Sequence, residues 1–200
     1  IQTERAISYF KPNIAIFLGV AGGIKDVSLG DVVVADKVYA YESGKEEDTA
    51  FAPRPEVGIP SFRLVERAQA EARKNNWLQR IKGYVPDSPP HVFVGPIAAG
   101  EKVVASRNSG TYELVQHHYG DSLAVDMEDY GFLEAAHVNP SVDVLVIRGI
   151  SDVVMNKGEA DKQGWQEKAA RNASAFAFEV LANVGRGAKA QQSNEENVIC

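Results

Sequence analysis

Short apolar runs alternate along the chain with segments whose apolar residues recur every three or four positions. Continuous apolar runs are typical of strands buried on both faces, and the longer spacing is typical of amphipathic helices. The strongest strand signal lies at 142–150, and a helix with one apolar stripe is predicted at 162–184. The other predicted strands cover 13–19, 31–41, 91–97, 103–104 and 123–125, and the other predicted helices cover 1–10, 61–76, 110–119 and 129–137.

This alternation predicts an α/β fold, a three-layer α/β/α sandwich around a central twisted, mixed and mostly parallel sheet. One domain is expected over residues 1–184, and the polar residues 185–200 predict a tail or linker. The chain opens on a helical pattern, so we expect the domain to lack N-terminal strands. Residues 43–60 predict a long loop of the kind that is functional or disordered, and Ser61 is expected to cap the helix that follows.

Composition narrows the class of protein. A formal net charge of -6 argues against a nucleic-acid-binding surface, which needs clustered basic residues. No apolar run approaches the roughly 18 residues of a membrane helix, and the single cysteine, Cys200, cannot form an internal disulfide. We therefore expect a cytoplasmic protein that binds neither membranes nor nucleic acid. His117 and His118 are adjacent on a predicted helix and point apart, so no metal site is expected.

Two of the segments that follow predicted strands suit a ligand, because open α/β sheets bind ligands at strand ends. Residues 19–23 read Gly-Val-Ala-Gly-Gly, whose backbone can approach a ligand closely, although a tight structural turn explains the glycines as well. Residues 126–128 read Asp-Met-Glu. A carboxylate matches the paired hydroxyls of ribose, and a thioether offers apolar contact to a sugar. Alternatively, Glu128 only begins a helix, where its charge suits the helix dipole.

The third segment, residues 148–152, reads Arg-Gly-Ile-Ser-Asp. An aspartate just past the end of the most buried predicted strand is suited to handle a proton, because burial disfavours the charged form of a carboxyl. Asp152 as an N-cap, or as the partner of Arg148 in a structural ion pair, is the alternative. From these residues alone, both interpretations stay open.

In this order and spacing, the three segments and residues 29–36 resemble the nucleoside phosphorylase-I superfamily. The resemblance is strongest to its nucleosidase branch, typified by methylthioadenosine/S-adenosylhomocysteine nucleosidase, and it covers about residues 1–184. It implies a phosphorylase/hydrolase-like fold and hydrolysis of the N-glycosidic bond of a purine, adenine-type nucleoside or nucleotide. It also implies that no cofactor is needed, that the protein is a homodimer or higher homo-oligomer, and that fusion to further domains is compatible with the fold.

The resemblance assigns roles residue by residue. Asp152 matches the aspartate that protonates N7 of the purine, Glu128 matches the glutamate that binds the ribose hydroxyls, and Met127 matches the methionine under the sugar. Val103 and Val104 lie where the family packs against the base; because the family often has Phe at position 103, stacking is expected from elsewhere. The candidates for stacking are Tyr39, Tyr41 and Phe51. The remaining expected substrate-binding residues are Gly22, Asp126, Arg148 and Ser151.

Two departures from the family pattern bear on the reaction. Phosphorolytic members hold phosphate with an Arg and a Ser, and Phe17 and Val20 occupy those places here, so water is the expected nucleophile. The glutamate that activates water in the nucleosidases is expected upstream of Ile1. The substrate stays open: methylthioadenosine is the family default, whereas Lys102 and the charged loop 42–57 leave room for a phosphorylated ligand such as ATP. Phosphorolysis and a non-catalytic purine sensor are the alternative functions.

Overall fold

The protein is described from a computed structural model, over residues 2–48, 51–54, 56–102, 104, 106, 108–153 and 164–185. Val103, a predicted base-contacting residue, and residues 186–200 of the predicted tail lie outside this description. So do Ile1 and residues 162–163, at the starts of the first and last predicted helices.

The chain alternates strands and helices, as the apolar pattern predicts. The strands are β1 (Ile14–Gly23), β2 (Val32–Ala40), β3 (Gly44–Glu46), β4 (Phe51–Pro53), β5 (Glu56–Gly58), β6 (Val92–Ala99), β7 (Ala124–Asp126) and β8 (Asp143–Val153). The helices are α1 (Gln2–Phe10), α2 (Phe62–Ala72), α3 (Gly110–His118), α4 (Asp129–His137) and α5 (Trp165–Asn183), with a 3-10 helix at Asn76–Arg80.

Six strands form one sheet in the order β5-β2-β6-β7-β1-β8, and β2 also pairs with β8, so that five strands close on themselves. The long ladders, β1 with β8 and β2 with β6, are parallel. The antiparallel pairings of β1 with β7, β2 with β5 and β2 with β8 are short. A mixed, mostly parallel sheet is therefore confirmed, and closure through β2 and β8 is the feature that the sequence pattern does not reveal.

Helices cover both faces of the sheet, which confirms the three-layer arrangement. α1 and α4 bury Ile7, Phe132 and Leu133 against one face. α2 and α5 bury Leu64 and Phe176 against the other. The predicted stripe of α5 packs on the sheet, and burying a side chain of the size of Phe176 contributes about 1.5–3 kcal/mol.

Two strands run further than the apolar pattern predicts. β1 continues through the glycine segment to Gly23, with a bulge between Ala21 and Gly22, because the glycines pair with β7 and β8. β1 is also only partly buried, rather than buried on both faces. β8 continues to Val153, so Asp152 lies inside the strand rather than beyond its end.

The segment between β2 and α2 also differs from the prediction. Residues 43–60 include three short strands, β3, β4 and β5, of which β5 pairs with β2. Ser61 precedes α2, but its side chain makes no capping hydrogen bond. Its Oγ accepts the Val144 N–H at 2.8 Å, and its N–H donates to the Val144 carbonyl at 2.9 Å. Ser61 therefore joins α2 to the start of β8.

Candidate active site

The three segments singled out in the sequence meet at the end of β1. Gly22 pairs with Val125 of β7 on one side and with Asp152 of β8 on the other. A Cβ at position 22 would lie 3.1 Å from Asp152 Oδ1 and 3.4 Å from Val125 Cγ1. Glycine therefore permits the close approach of the three strands. β7 runs antiparallel to β1, but it pairs only with Gly22 and Gly23. The residues that follow β7 therefore still lie near the end of β1.

A cleft of about 160 Å³ opens where these strands meet. Its walls combine backbone of β1, carboxylates of β7, α4 and β8, and one residue of α5. The lining residues are Val20, Ala21, Gly22, Lys102, Val104, Val125, Asp126, Met127, Glu128, Ser151, Asp152 and Gln166. Seven of the nine residues predicted for the site are among them; Val103 is not described, and Arg148 lies elsewhere. Gln166 is a cleft residue that gives no signal in the sequence, since it reads as an ordinary polar position at a helix start.

Asp152 is buried in the floor of the cleft, 7% exposed. The Ser151 hydroxyl donates a hydrogen bond to Asp152 Oδ2 at 3.3 Å. Through this bond Ser151, the preceding residue of β8, helps to orient the Asp152 carboxyl group.

Asp126 and Glu128 differ in position: one carboxylate caps a helix, and the other is exposed at the cleft. Asp126 Oδ1 accepts the backbone N–H groups of Glu128 and Asp129 at 2.8 and 2.9 Å. Asp126 therefore caps α4. Glu128 stands at the N-cap position, but its side chain makes no capping hydrogen bond. Its exposed carboxylate lies at the cleft and, among the described residues, has no hydrogen-bond partner.

Arg148 has a different place from the one expected. It is 3% exposed, and it forms ion pairs with Asp129 and, at 3.2 Å, with Asp126 Oδ1. Its guanidinium lies 4.4 Å from the centre of the Phe17 ring. Arg148 is therefore absent from the described lining of the cleft, where two buried carboxylates require a cation, and its predicted contact with the substrate stays a prediction.

Burial dominates the electrostatics of this cluster. Burial raises the pKa of Asp129 to about 8, although the nearby Arg148 charge acts to lower it and Asp126 adds to the rise. Burial acts to lower the pKa of Arg148, but the charges of Asp129 and Asp126 outweigh it and raise that pKa. Arg148 therefore stays a cation, and the pKa of Asp129 lies well above that of a free aspartate.

One wall of the cleft is tied to the end of β2. The Tyr41 hydroxyl donates to the Lys102 carbonyl at 3.1 Å, and a Cβ at Gly100 would overlap the Tyr41 ring. Glu42 accepts the Glu101 N–H at 2.6 Å and pairs with Lys102 Nζ at 3.1 Å. Partial burial acts to raise the pKa of Glu42, but these two partners together hold it below its usual value. We call Tyr41 and Glu42 the wall clamp.

The expected stacking residues do not line the described cleft. Tyr41 is buried under Gly100. Tyr39 packs against Tyr119 and donates to Asp121 at 2.9 Å. Phe51 lies in the β3–β4 pair. In the described residues these side chains make other contacts, so a stacking role for any of the three stays a prediction.

A larger open groove of about 1100 Å³ follows α5 and the 3-10 helix. Its two carboxylates, Glu167 and Glu179, pair with Arg171 and Arg80. Such paired side chains suit a solvated surface, so the chemistry is placed in the smaller cleft. Within the described residues, no helix is long and apolar enough to cross a membrane, and no three His, Cys, Asp or Glu side chains are arranged so that they could hold a metal ion.

Comparison with known proteins identifies the family of the chain. The sequence profile of the Phosphorylase superfamily matches residues 1–182. The chain belongs to this superfamily. Among curated relatives, it is 30% identical over 171 residues to ATP nucleosidase Cap17 of Escherichia coli, covering 75% of this chain and 32% of that protein. It is 26% identical to the uncharacterised protein y4jS of Sinorhizobium fredii, over 92% of this chain and 46% of that protein. The chain thus spans less than half the length of either relative.

Members with known structures share the fold. The 5'-methylthioadenosine/S-adenosylhomocysteine nucleosidase of Neisseria meningitidis, in complex with methylthio-immucillin-A, matches with a TM-score of 0.70 at 24% identity, over 90% of this chain and 73% of that chain. The S-adenosylhomocysteine nucleosidase of Streptococcus pyogenes matches with a TM-score of 0.72 at 20% identity, over 91% and 72%. These similarities establish the superfamily fold for the described residues.

Proposed function

We propose that this chain carries most of the active site of an N-ribosyl hydrolase that cleaves the bond between a purine base and ribose. The observation that carries the proposal is that two different carboxyl groups line one cleft. Asp152 is buried, and the carboxylate of Glu128 is exposed and has no hydrogen-bond partner among the described residues. Three of the four similar proteins are named as nucleosidases of ATP, S-adenosylhomocysteine or 5'-methylthioadenosine, and these names support an adenine-type substrate.

The two carboxyl groups suit the two halves of such a substrate. Asp152 donates a proton to N7 of the base, so that the purine leaves as a neutral molecule when it takes the electron pair of the breaking C1'–N9 bond. Glu128 accepts hydrogen bonds from the ribose hydroxyls and fixes the sugar. The oxygen of a water molecule bonds to C1' of the oxocarbenium-like sugar, and the water gives up a proton to a general base. General-acid help of this kind is typically worth about 10²–10⁴-fold in rate.

Water is favoured over phosphate as the nucleophile because the described lining of the cleft offers little positive charge to bind an anion. Among its described lining residues, Lys102 is the one basic side chain, and it is paired with Glu42. Phe17 stacks on Phe132 in the core, and Val20 lines the cleft with an apolar side chain. A phosphate dianion would face the carboxylates of Asp126, Glu128 and Asp152 instead of a cationic cradle.

Hydrolysis and phosphorolysis differ in the nucleophile, which can be identified from the sugar product. The protein is incubated with adenosine, methylthioadenosine or ATP, with and without millimolar phosphate, and released adenine and sugar are separated by chromatography. We expect adenine release at equal rates in both buffers, with free ribose or its 5'-derivative as the second product. Release that needs phosphate and yields ribose 1-phosphate would contradict hydrolysis. Binding without any release, by a chain that also carries a strand before α1, would favour a purine sensor.

The general base is proposed to come from a strand added at the open edge of β1. On the side away from β8, only Gly22 and Gly23 pair with β7, and residues 14–21 have no strand partner in the described chain. Crossover connections between parallel strands are right-handed in about 98% of cases. Because α1 lies on the face opposite to α2, a strand that entered α1 and ran parallel to β1 would occupy this edge. Its carboxyl end would lie beside Val20, at the cleft.

The size of the cleft supports the same proposal. Ligand pockets typically measure about 300–1,000 Å³, and the present cleft measures about 160 Å³. A further open groove of about 750 Å³, between the edge of β1 and α5, shares Val20 and Gln166 with it. A strand laid along β1 would roof this groove and enclose both spaces.

A further inference from the structure

A buried cluster of three ionisable side chains extends from the wall of the cleft, which Asp126 lines, into the protein beneath it, and has no part in the chemistry proposed above. Arg148 comes from β8, Asp126 from the end of β7 and Asp129 from the start of α4. Their exposed fractions are 3%, 7% and 0%. We call these residues the buried triad.

Gly19 gives the guanidinium room to reach α4. Gly19 pairs with Arg148 across the β1–β8 ladder, and a Cβ at this position would overlap the guanidinium. The cation then lies over the ring of Phe17, two residues earlier on the same face of β1. The arginine therefore crosses β1 to join the strand on one side to the helix on the other.

The triad holds one cation and two carboxyl groups, so full ionisation would leave one buried negative charge uncompensated, which is costly. Burial raises the pKa of Asp129 to about 8, against the effect of Arg148. Asp129 Oδ2 and Arg148 Nε have no hydrogen-bond partner among the described residues. The charged groups that face Asp129 are Arg148 on β8 and Asp126 on β7; Glu128 on its own helix acts on Arg148.

We propose that Asp129 is a positioning residue for Glu128, a role that rests on the function proposed above. Asp126 Oδ1 holds the N–H of Glu128 and is itself held by Arg148. Asp129 binds the same Nη2 atom of Arg148. Asp129 thus holds the guanidinium of Arg148, and this guanidinium holds the carboxylate of Asp126. Asp126 in turn positions the backbone of Glu128, whose side chain lies at the cleft.

The first test needs no ligand. Asp129→Leu removes the acceptor and keeps the branched shape of the side chain, Asp129→Asn keeps an oxygen for Arg148, and Glu134→Gln is a matched change of an exposed acid on the same helix. Amide hydrogen exchange is measured at Glu128 by NMR. We expect exchange about tenfold faster in Asp129→Leu, the effect of weakening one hydrogen bond, and unchanged exchange in the other two variants. Unchanged exchange in Asp129→Leu would overturn the proposal.

The second test uses adenosine and adenine as probes. Asp129→Leu should weaken adenosine binding about tenfold in calorimetry, with adenine binding nearly unchanged, and Asp129→Asn should bind both as the wild type does. Equal losses for both probes would mean a general structural defect and would overturn the proposal. If the wild type binds neither probe, the proposed function fails, while the exchange rates still decide the role of Asp129.

A pH titration keeps the proposal testable if Asp129→Leu does not fold. In the wild type, the Glu128 amide shift should titrate with a midpoint near pH 8, because Asp129 loses its proton there. In Asp129→Asn this transition should be absent, and in Glu134→Gln it should persist. A Glu128 amide transition near pH 8 that Asp129→Asn retains would overturn the proposal.

Discussion

At the scale of single residues, Asp126 and Glu128 carry the same functional group two positions apart and meet different surroundings. Asp126 is buried and accepts two backbone N–H groups and an arginine, so its lone pairs on Oδ1 are committed to α4. Glu128 is exposed at the cleft. The sequence identified both as candidates, but the cap could be assigned only from the backbone geometry, since either carboxylate has the chemistry to accept from a helix start.

Glu128→Gln should weaken the binding of nucleosides much more than the binding of free base. The amide keeps the shape of the side chain but gives up the charge, and hydrogen bonds to a charged group contribute roughly 1.5–3 kcal/mol. We expect adenosine affinity to fall tenfold or more, about 1.4 kcal/mol, in calorimetry, with adenine affinity and the denaturation midpoint kept. Glu134→Gln on the exposed face of α4 is the control. Equal losses for adenosine and adenine would place Glu128 away from the sugar.

Asp152→Asn should abolish turnover and leave the fold and ligand binding largely intact. The amide oxygen can still accept the hydrogen bond from Ser151, which is 3.3 Å from the carboxylate in the wild type, but the amide cannot donate an acidic proton. We expect a loss of about 10²–10⁴-fold in adenine release. Asp87→Asn, an exposed aspartate outside the cleft, should have no effect. A wild-type rate in Asp152→Asn, measured in a chain that includes the added strand, would remove Asp152 from the mechanism.

At the scale of elements, the long helices and strands follow from local patterns, and their ends do not. The stripe of α5 and the apolar run of β8 are visible in the sequence because each packs along its whole length. β1 runs on through glycines that read as a turn, because their strand partners, residues 124–125 and 152–153, are far away in the chain. Ser61 reads as a cap and instead pairs with Val144, for the same reason. Long-range partners, rather than propensity, set these boundaries.

The wall clamp can be tested by removing one hydroxyl. Tyr41→Phe keeps the ring under Gly100 and deletes the hydrogen bond to the Lys102 carbonyl. We expect a loss of stability of about 0.5–1.5 kcal/mol and a severalfold rise in KM with kcat unchanged, because Lys102 and Val104 line the cleft.

A matched variant separates the clamp from general destabilisation. Tyr84→Phe also deletes one phenol hydrogen bond, 2.7 Å long, to Asn172 outside the cleft. It should lower the denaturation midpoint by a similar amount and leave KM as it is. The same KM in Tyr41→Phe and Tyr84→Phe would show that the wall does not depend on the clamp.

At the scale of the molecule, the cleft sits where the sheet is least complete. Its floor and one wall are built by β7, β8 and the start of α4, while residues 14–21 of β1 have, on the side away from β8, no strand partner in the part of the chain that the structure describes. Exposed edges are prone to unwanted pairing, so we expect a partner strand to be part of the working protein. The resemblance to the nucleosidases implies the strand and its glutamate, and the handedness of the crossover through α1 gives its place. The homo-oligomer implied by that resemblance stays a prediction.

A chain in which a strand precedes α1 should hydrolyse nucleosides far faster than residues 1–200 alone. Asp152 and Glu128 are in place without that strand, so the shorter chain should bind purine nucleosides weakly, but it lacks the group proposed to take a proton from water. General-base help is worth about 10²–10⁴-fold, and the gain in kcat on adding the strand should fall in this range. The measurement is adenine release from equal concentrations of the two chains, with a third chain whose added strand carries prolines that prevent pairing with β1. That third chain should behave as the short one. If residues 1–200 alone already reach the rate of the longer chain, the base is a carboxylate within them, and Asp126 or Glu101 is the candidate to replace next.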